Sequence, residues 1–140
     1  MIKPILLAED VEDDAVVIKH TLKKAGVINP IITVYDGEQA IAYLAGNGIY
    51  TDRDLFPLPG VLLLDLKMPK CGGFEVLEWL KTQPQLKELL VIVLSGLNQL
   101  DSINRAYSMG AHSFLAKPCT VEDIANLTKN FKGYWNHSQQ

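Results

Sequence analysis

The 140-residue sequence has no apolar run near the roughly 20 residues that a membrane-crossing helix needs. Its first residues, MIKPILLA, meet an acid at Glu9, so the long apolar core of a secretory signal peptide is also missing. These two absences predict a cytoplasmic protein that does not insert into a membrane.

Cysteine is scarce as well. The chain has Cys71 and Cys119 alone, far apart and without a CxxC pair. This spacing favours two reduced thiols over a disulfide or a metal pair, which is typical of cytosolic proteins.

An excess of positive charge is also missing, because 13 Lys and Arg face 16 Asp and Glu and the net charge is −3. A protein held to nucleic acid by phosphate contacts normally shows a basic patch. We therefore expect no direct DNA binding. The negative charge is concentrated in EDVEDD, residues 9–14. Acids suit the start of a helix, so Glu12, Asp13 and Asp14 are interpreted as a solvated loop and helix beginning and not as metal ligands.

Short apolar runs alternate with longer amphipathic stretches along the chain. Strands that are apolar throughout, such as LVIVL, indicate a parallel sheet covered on both faces. The alternation predicts one doubly wound α/β domain, with the flavodoxin-like strand order 2-1-3-4-5. The expected strands are 4–8, 31–35, 60–66, 88–96 and 112–117, and the expected helices are 14–26, 36–46, 73–83, 100–110 and 120–135.

Polar residues follow four of the predicted strands. Glu9 and Asp10 follow the first strand and Asp65 ends the third, so three carboxylates should meet at the switch point of the sheet. They would repel one another, and a hard divalent cation such as Mg²⁺ would relieve this repulsion. Ser95 and Lys117 end the fourth and fifth strands. A phosphoryl group on a carboxylate would use the cation, the ammonium and the hydroxyl together.

These residues resemble the receiver domains of two-component response regulators over nearly the whole chain. The matching motifs are the pair Glu9-Asp10, Asp65 in LLLDLKMP, Ser95 in VLSG and Lys117 in FLAKP. The resemblance implies that a sensor histidine kinase or a phosphotransfer protein donates a phosphoryl group to Asp65 in a Mg²⁺-dependent reaction. It also implies a signalling protein whose only reactions are its own phosphorylation and dephosphorylation, not an enzyme.

The resemblance assigns a role to each matching residue. Asp65 is the phospho-acceptor, and Ser95 and Lys117 bind the phosphoryl oxygens. The Lys117–Pro118 peptide bond is expected to be cis. The implied Mg²⁺ ligands are Glu9 (through water), Asp10, Asp65 and the backbone carbonyl of Lys67, and the implied switch pair is Ser95 and Phe114.

Two positions depart from the commoner family pattern. Phe114 has no polar tip to hold it at the surface, so we expect it to favour the inward position even when Asp65 is free. Leu97 lies two residues beyond Ser95, where it cannot orient a water by hydrogen bonding. This predicts slow self-dephosphorylation.

Two features indicate which subgroup of receiver domains the sequence resembles. A long segment, 47–60, precedes the third strand, and the chain ends soon after the last helix with a short tail, 133–140. Both are similar to the small, phytochrome-associated (Rcp1-like) regulators of cyanobacteria. The resemblance implies a single receiver domain over 1–140 without an output domain. A bacteriophytochrome is one candidate kinase, and a homodimer through the fourth helix, fifth strand and fifth helix is one assembly that the subgroup allows.

Three other functions compete with this hypothesis. A haloacid-dehalogenase-like phosphatase needs a second aspartate two positions after the nucleophile, where this chain has Lys67. A flavodoxin needs a phosphate-binding loop after the first strand, where EDVEDD would repel phosphate. A receiver that binds partners without being phosphorylated stays open, as does the choice between an output role and a phosphate sink.

Overall fold

The computed structural model describes residues 2–96 and 100–138. Within them, five strands alternate with five helices, and the strands form one parallel sheet in the order 2-1-3-4-5. The predicted α/β fold and strand order are therefore confirmed. The strands are β1 (Ile5–Ala8), β2 (Ile31–Val34), β3 (Val61–Asp65), β4 (Leu90–Ser95) and β5 (Ser113–Ala116), and the helices are α1 (Glu12–Lys24), α2 (Gly37–Ala45), α3 (Gly73–Leu80), α4 (Leu100–Ser108) and α5 (Val121–Asn130).

The two faces of the sheet are covered by different helices. Successive strand residues point to opposite faces, so Leu62 packs with α2, α3 and α4, while Leu63 packs with α1 and α5. Every residue of β1, β3 and β4 is buried. Full burial of one such Leu or Ile stabilises the fold by about 1.5–3 kcal/mol. The apolar runs thus form the central strands.

Local sequence signals define most helix ends. Asp36 caps α2 by accepting a hydrogen bond from the amide of Gln39 at 2.8 Å, and α2 ends at Gly46 with a left-handed φ of 72°. Thr120 and Asp123 form a reciprocal cap at the start of α5. No helix of the described residues has both the length and the apolar composition of a membrane span.

Helix α5 is shorter than predicted. It ends at Asn130 and not near residue 135, and the following segment turns back at Gly133, which has a φ of 96°. The amide of Ile28 then donates to the Asn136 carbonyl at 2.7 Å, and the amide of Ser138 donates to the Gly26 carbonyl at 2.8 Å. The carboxyl-terminal residues therefore pair with the turn between α1 and β2.

The long segment before β3 is folded. It contains a 3₁₀ turn, Gly48–Tyr50, and the Arg53 guanidinium donates to the carbonyls of Tyr43, Leu44 and Phe56 at 2.8–3.1 Å. The rings of Tyr43, Tyr50 and Phe56 pack with centroids 5.0–6.1 Å apart. Arg53 thus ties the segment to the carboxyl end of α2.

Candidate functional site

The chain brings its chemically active side chains to one edge of the sheet, at the carboxyl ends of the strands. Glu9 and Asp10 follow β1, Asp65 ends β3, Ser95 ends β4, and Lys117 follows β5. The strand register aligns these residues along the same edge of the sheet, because Asp65 lies opposite Leu94 and Ser95 lies opposite Ala116. An open pocket of about 490 Å³ is lined by Asp10, Val11, Asp14, Asp65, Lys67, Ser95, Gly96 and Lys117.

The Lys117 ammonium lies among three carboxylates. Its Nζ donates to Glu9 Oε1 at 2.6 Å, to Asp14 Oδ2 at 3.0 Å and to Asp65 Oδ2 at 3.2 Å. These three bonds join β1, α1 and β3 through one side chain. The Lys117–Pro118 peptide bond is cis, as the resemblance implied.

Burial and charge alter the pKa values of two of these groups. Burial raises the pKa of Glu9, the nearby Asp65 raises it further, and the hydrogen bond from Lys117 lowers it in part. Burial alone would lower the pKa of Lys117. Its hydrogen bonds to Glu9 and Asp14, together with the attraction of the Asp65 and Glu9 charges, outweigh burial and raise this pKa. Lys117 therefore stays positively charged at physiological pH.

The three predicted acidic ligands lie close enough to hold one metal ion. One carboxylate oxygen from each of Glu9, Asp10 and Asp65 lies within 4.8 Å of the others. Asp10 Oδ1 is buried and has no hydrogen-bond partner among the described residues. A buried carboxylate oxygen without a partner is energetically costly, and a hard cation with oxygen ligands would satisfy it. The residues thus fit Mg²⁺ by their chemistry.

Backbone geometry holds Asp65 in place. The amide of Lys67 donates to Asp65 Oδ1 at 3.3 Å, so the Lys67 backbone lies beside the carboxylate. A Cβ at position 73 would lie 2.6 Å from the Asp65 carbonyl oxygen, so only Gly73 lets α3 begin this close to the strand end. The intervening turn has positive φ angles at Lys70 (56°) and Cys71 (120°).

The other expected site residues lie nearby. Ser95 is buried, and its carbonyl accepts a hydrogen bond from the Lys117 amide at 3.0 Å. Phe114 is half-buried against the core under α2, α3 and α4, and its inward preference stays a prediction. Leu97 lies outside the described residues.

Asp14 is a site residue that the sequence interpretation missed. It was assigned to a solvated helix beginning, but its carboxylate pairs with Lys117. Helix α1 begins at Glu12, two residues earlier than predicted, which places Asp14 in its first turn. Ile18, four residues on, is buried and therefore on the same helix face. The four-residue spacing between Asp14 and Ile18 is the sequence signal that could have identified Asp14 as a site residue.

The comparisons with known proteins agree with this geometry. The family described as response regulator receiver domain matches residues 5–129. Response regulator Rcp1 of Synechocystis sp. is 32% identical over 133 residues, which cover 95% of this chain and 88% of Rcp1. A solved Mn²⁺-bound form of Rcp1 superposes with a TM-score of 0.75 at 31% identity, covering 94% of this chain and 93% of that one.

Two further solved structures are similar over nearly their full length. Response regulator RPA3017, described in red light signaling of R. palustris, has a TM-score of 0.86 and 30% identity, covering 99% of this chain and 100% of that chain. The phosphorylated cyanobacterial phytochrome response regulator RcpA has a TM-score of 0.79 and 32% identity, covering 96% and 94%. With the strand order and the acidic edge already described, these matches show that the chain belongs to the response regulator receiver family of two-component systems.

Proposed function

We propose that the chain is a response regulator that accepts a phosphoryl group on Asp65 from a sensor histidine kinase or a phosphotransfer protein. The observation that carries the proposal is the contact of Lys117 Nζ with Asp65 Oδ2 at 3.2 Å, at an edge that also holds the Glu9 and Asp10 carboxylates. An ammonium beside a nucleophilic carboxylate is what phosphoryl transfer needs, because negative charge moves onto that oxygen with the phosphoryl group.

In the proposed reaction, an oxygen of the Asp65 carboxylate attacks the phosphorus of the donor phosphohistidine. The new O–P bond forms as the N–P bond breaks, and the electron pair of that bond returns to the imidazole nitrogen. Lys117 donates a hydrogen bond to a phosphoryl oxygen, and the Ser95 hydroxyl donates to another. When the other ring nitrogen of the phosphohistidine already carries a proton, the leaving group departs directly as a neutral imidazole. The phosphorus keeps its oxidation state, so no oxidant or reductant is needed.

Glu9, Asp10, Asp65 and the backbone carbonyl of Lys67 would hold Mg²⁺. The cation supplies neutralisation of the charge on the phosphoryl oxygens when it is bound. The buried, unpartnered Asp10 Oδ1 supports this assignment, and the Mn²⁺-bound form of the relative Rcp1 is consistent with it.

We further propose that phosphorylation shifts the population between two states of the surface formed by α4, β5 and α5, with Ser95 and Phe114 as the switch. Phe114 lies on β5 and is half-buried against the core under α2, α3 and α4. The chain would act as one receiver domain over 1–140 in the cytoplasm, where its free thiols Cys71 and Cys119 stay reduced. A bacteriophytochrome is a candidate kinase because relatives act in phytochrome and red light signalling, and self-association through the same surface is a candidate assembly.

The test is phosphorylation by acetyl phosphate with and without Mg²⁺, read by intact mass. We expect the mass of one phosphoryl group to be gained only with Mg²⁺, and not by the variant Asp65→Asn. A folded wild-type protein that gains no mass would contradict the proposal and favour a receiver that binds partners without phosphorylation.

A further inference from the structure

Asp14 is an acidic residue at the site for which the proposed function names no role. It is the third residue of α1, and its Oδ2 lies 3.0 Å from Lys117 Nζ. Its side chain is 43% exposed, whereas the side chains of Glu9 and Asp65 are 1% and 5% exposed. The three carboxylates that share the ammonium thus differ strongly in their access to water.

The donors of Lys117 are fully used. An ammonium has three N–H donors and no acceptor. Lys117 donates one hydrogen bond to each of the three carboxylates. The donor that serves Asp65 can pass to a phosphoryl oxygen once Asp65 is phosphorylated. A second phosphoryl oxygen can receive a hydrogen bond from Lys117 only if Glu9 or Asp14 gives up its own.

The bond to Asp14 is the one that breaks most easily. The Glu9 carboxylate is buried, so water cannot replace the hydrogen bond that it would lose if Lys117 moved away. The Glu9 contact is also the shortest, at 2.6 Å. A half-exposed carboxylate such as Asp14 is solvated as soon as it is released, so its ion pair contributes little net stability.

We propose that Asp14 is a positioning residue for Lys117 and a competitor of the phosphoryl group for one of its N–H donors. This inference rests on the proposed phosphorylation of Asp65. In the unphosphorylated protein, Asp14 holds the ammonium toward the first turn of α1. When Asp65 is phosphorylated, Lys117 exchanges Asp14 for a phosphoryl oxygen and keeps Glu9. Only hydrogen bonds are exchanged, and no proton is transferred between the groups.

The test measures the affinity for fluoroberyllate in the presence of Mg²⁺, because this anion binds an aspartate carboxylate as an analogue of a phosphoryl group. The variant Asp14→Asn keeps the shape and one acceptor oxygen but loses the charge. Since it competes less for Lys117, we expect it to bind fluoroberyllate about two- to fivefold more tightly than the wild type. The variant Asp14→Glu keeps the charge, and we expect it to restore an affinity near that of the wild type.

The matched control is Asp13→Asn. Asp13 is the preceding residue of the same helix turn, is exposed, and takes part in no ion pair among the described residues. Its substitution changes the net charge equally, and we expect the affinity to stay at the wild-type value. A gain in Asp13→Asn equal to that in Asp14→Asn would show a general charge effect and overturn the inference.

A second readout separates positioning from a structural role. The NMR signals of the Lys117 ammonium should differ between wild type and Asp14→Asn in the free proteins, and should coincide in the fluoroberyllate-bound proteins. Signals that differ equally in both states would contradict the exchange. A wild type that binds fluoroberyllate, with Asp14→Asn unchanged or weaker, overturns this inference alone. A wild type that takes neither fluoroberyllate nor a phosphoryl group overturns the proposed function, and this inference with it.

Discussion

At the scale of single residues, Lys117 contacts three carboxylates that belong to three elements of the fold. Asp65 and Glu9 could be associated from the sequence, because parallel strands deliver their carboxyl ends to one edge. Asp14 is harder to associate with them, because its sequence signal is the four-residue spacing from the buried Ile18 on one face of α1. Val11 precedes that helix without a side-chain cap, so no local signal marks the start.

Leu97 is expected to set the lifetime of the phosphorylated state. Replacing it with Glu adds a carboxylate that can orient an attacking water, so Leu97→Glu should shorten the lifetime of the phosphorylated protein several-fold. The measurement is the decay of the phosphorylated mass after the donor is removed. The control is Leu100→Glu, since Leu100 is exposed on α4 and does not line the pocket. An unchanged decay rate in Leu97→Glu would contradict the prediction.

Tyr43 is expected to make the free energy of unfolding depend on pH in the alkaline range. Its hydroxyl donates to the Pro57 carbonyl at 2.8 Å, and burial raises its pKa above 10.0. Tyr43→Phe removes the donor and should lower the free energy of unfolding by about 1 kcal/mol near neutral pH.

The sign of the pH effect follows from the raised pKa of Tyr43. The folded state favours the neutral phenol, so the contribution of Tyr43 is complete below pH 10 and is lost as pH rises through the folded-state value. Urea unfolding of both proteins should therefore show a difference that shrinks above pH 10. A difference that stays constant across this range would contradict the account.

At the scale of elements, the sequence predicts best where a signal is local. The caps at Asp36 and Thr120 and the apolar runs of β3 and β4 lie within a few residues of the elements that they define. The predicted end of α5 was wrong because the observed end depends on contacts with residues that are distant in the sequence. Residues after Asn130 leave the helix and pair with Gly26 and Ile28, which no pattern within the segment reveals.

Arg53 is expected to hold the segment 47–60 in its fold. Arg53→Ala removes three hydrogen bonds that a charged group donates to backbone carbonyls. It should therefore lower the free energy of unfolding by about 2 kcal/mol. It should also speed proteolytic cleavage within the segment, because the chain is no longer tied to α2. Thermal unfolding and limited proteolysis measure the two effects.

The comparison variant is Arg53→Lys, which keeps the charge but lacks the planar fork that reaches several carbonyls at once. We expect it to recover only part of the lost stability. Equal stability of Arg53→Lys and the wild type would show that charge alone suffices and would refute the role of the fork.

At the scale of the whole molecule, the strand alternation predicted a doubly wound sheet. The order 2-1-3-4-5 that we expected for it is confirmed, and this order determines which residues meet. The contacts that join residues near the two chain ends at Asn29 were not predicted. Asn29 is 5% exposed, and its amide group donates to the carbonyls of Lys3 and Tyr134 while its oxygen accepts from the amide of Asn136. One side chain thus joins both ends of the described chain.

Asn29→Ala should loosen these contacts. Three backbone groups would lose a buried partner, so the free energy of unfolding should fall by about 2 kcal/mol. Amide hydrogen exchange at Ile28 and Ser138 should become faster, because the carboxyl-terminal segment is released. Asn126→Ala, an exposed position on α5, is the control and should leave both amides unchanged. Slow exchange at both amides in Asn29→Ala would contradict this role.

The central claim is that the phosphoryl group is carried by Asp65, and direct mapping of the modified residue tests it most simply. The protein phosphorylated with acetyl phosphate and Mg²⁺ is treated with borohydride, which reduces an acyl phosphate on aspartate to homoserine. Peptide mass spectrometry then locates the reduced residue. We predict reduction at Asp65 alone. Reduction at Glu9, Asp10 or Asp14 in place of Asp65, or at no residue of a phosphorylated protein, would contradict the account.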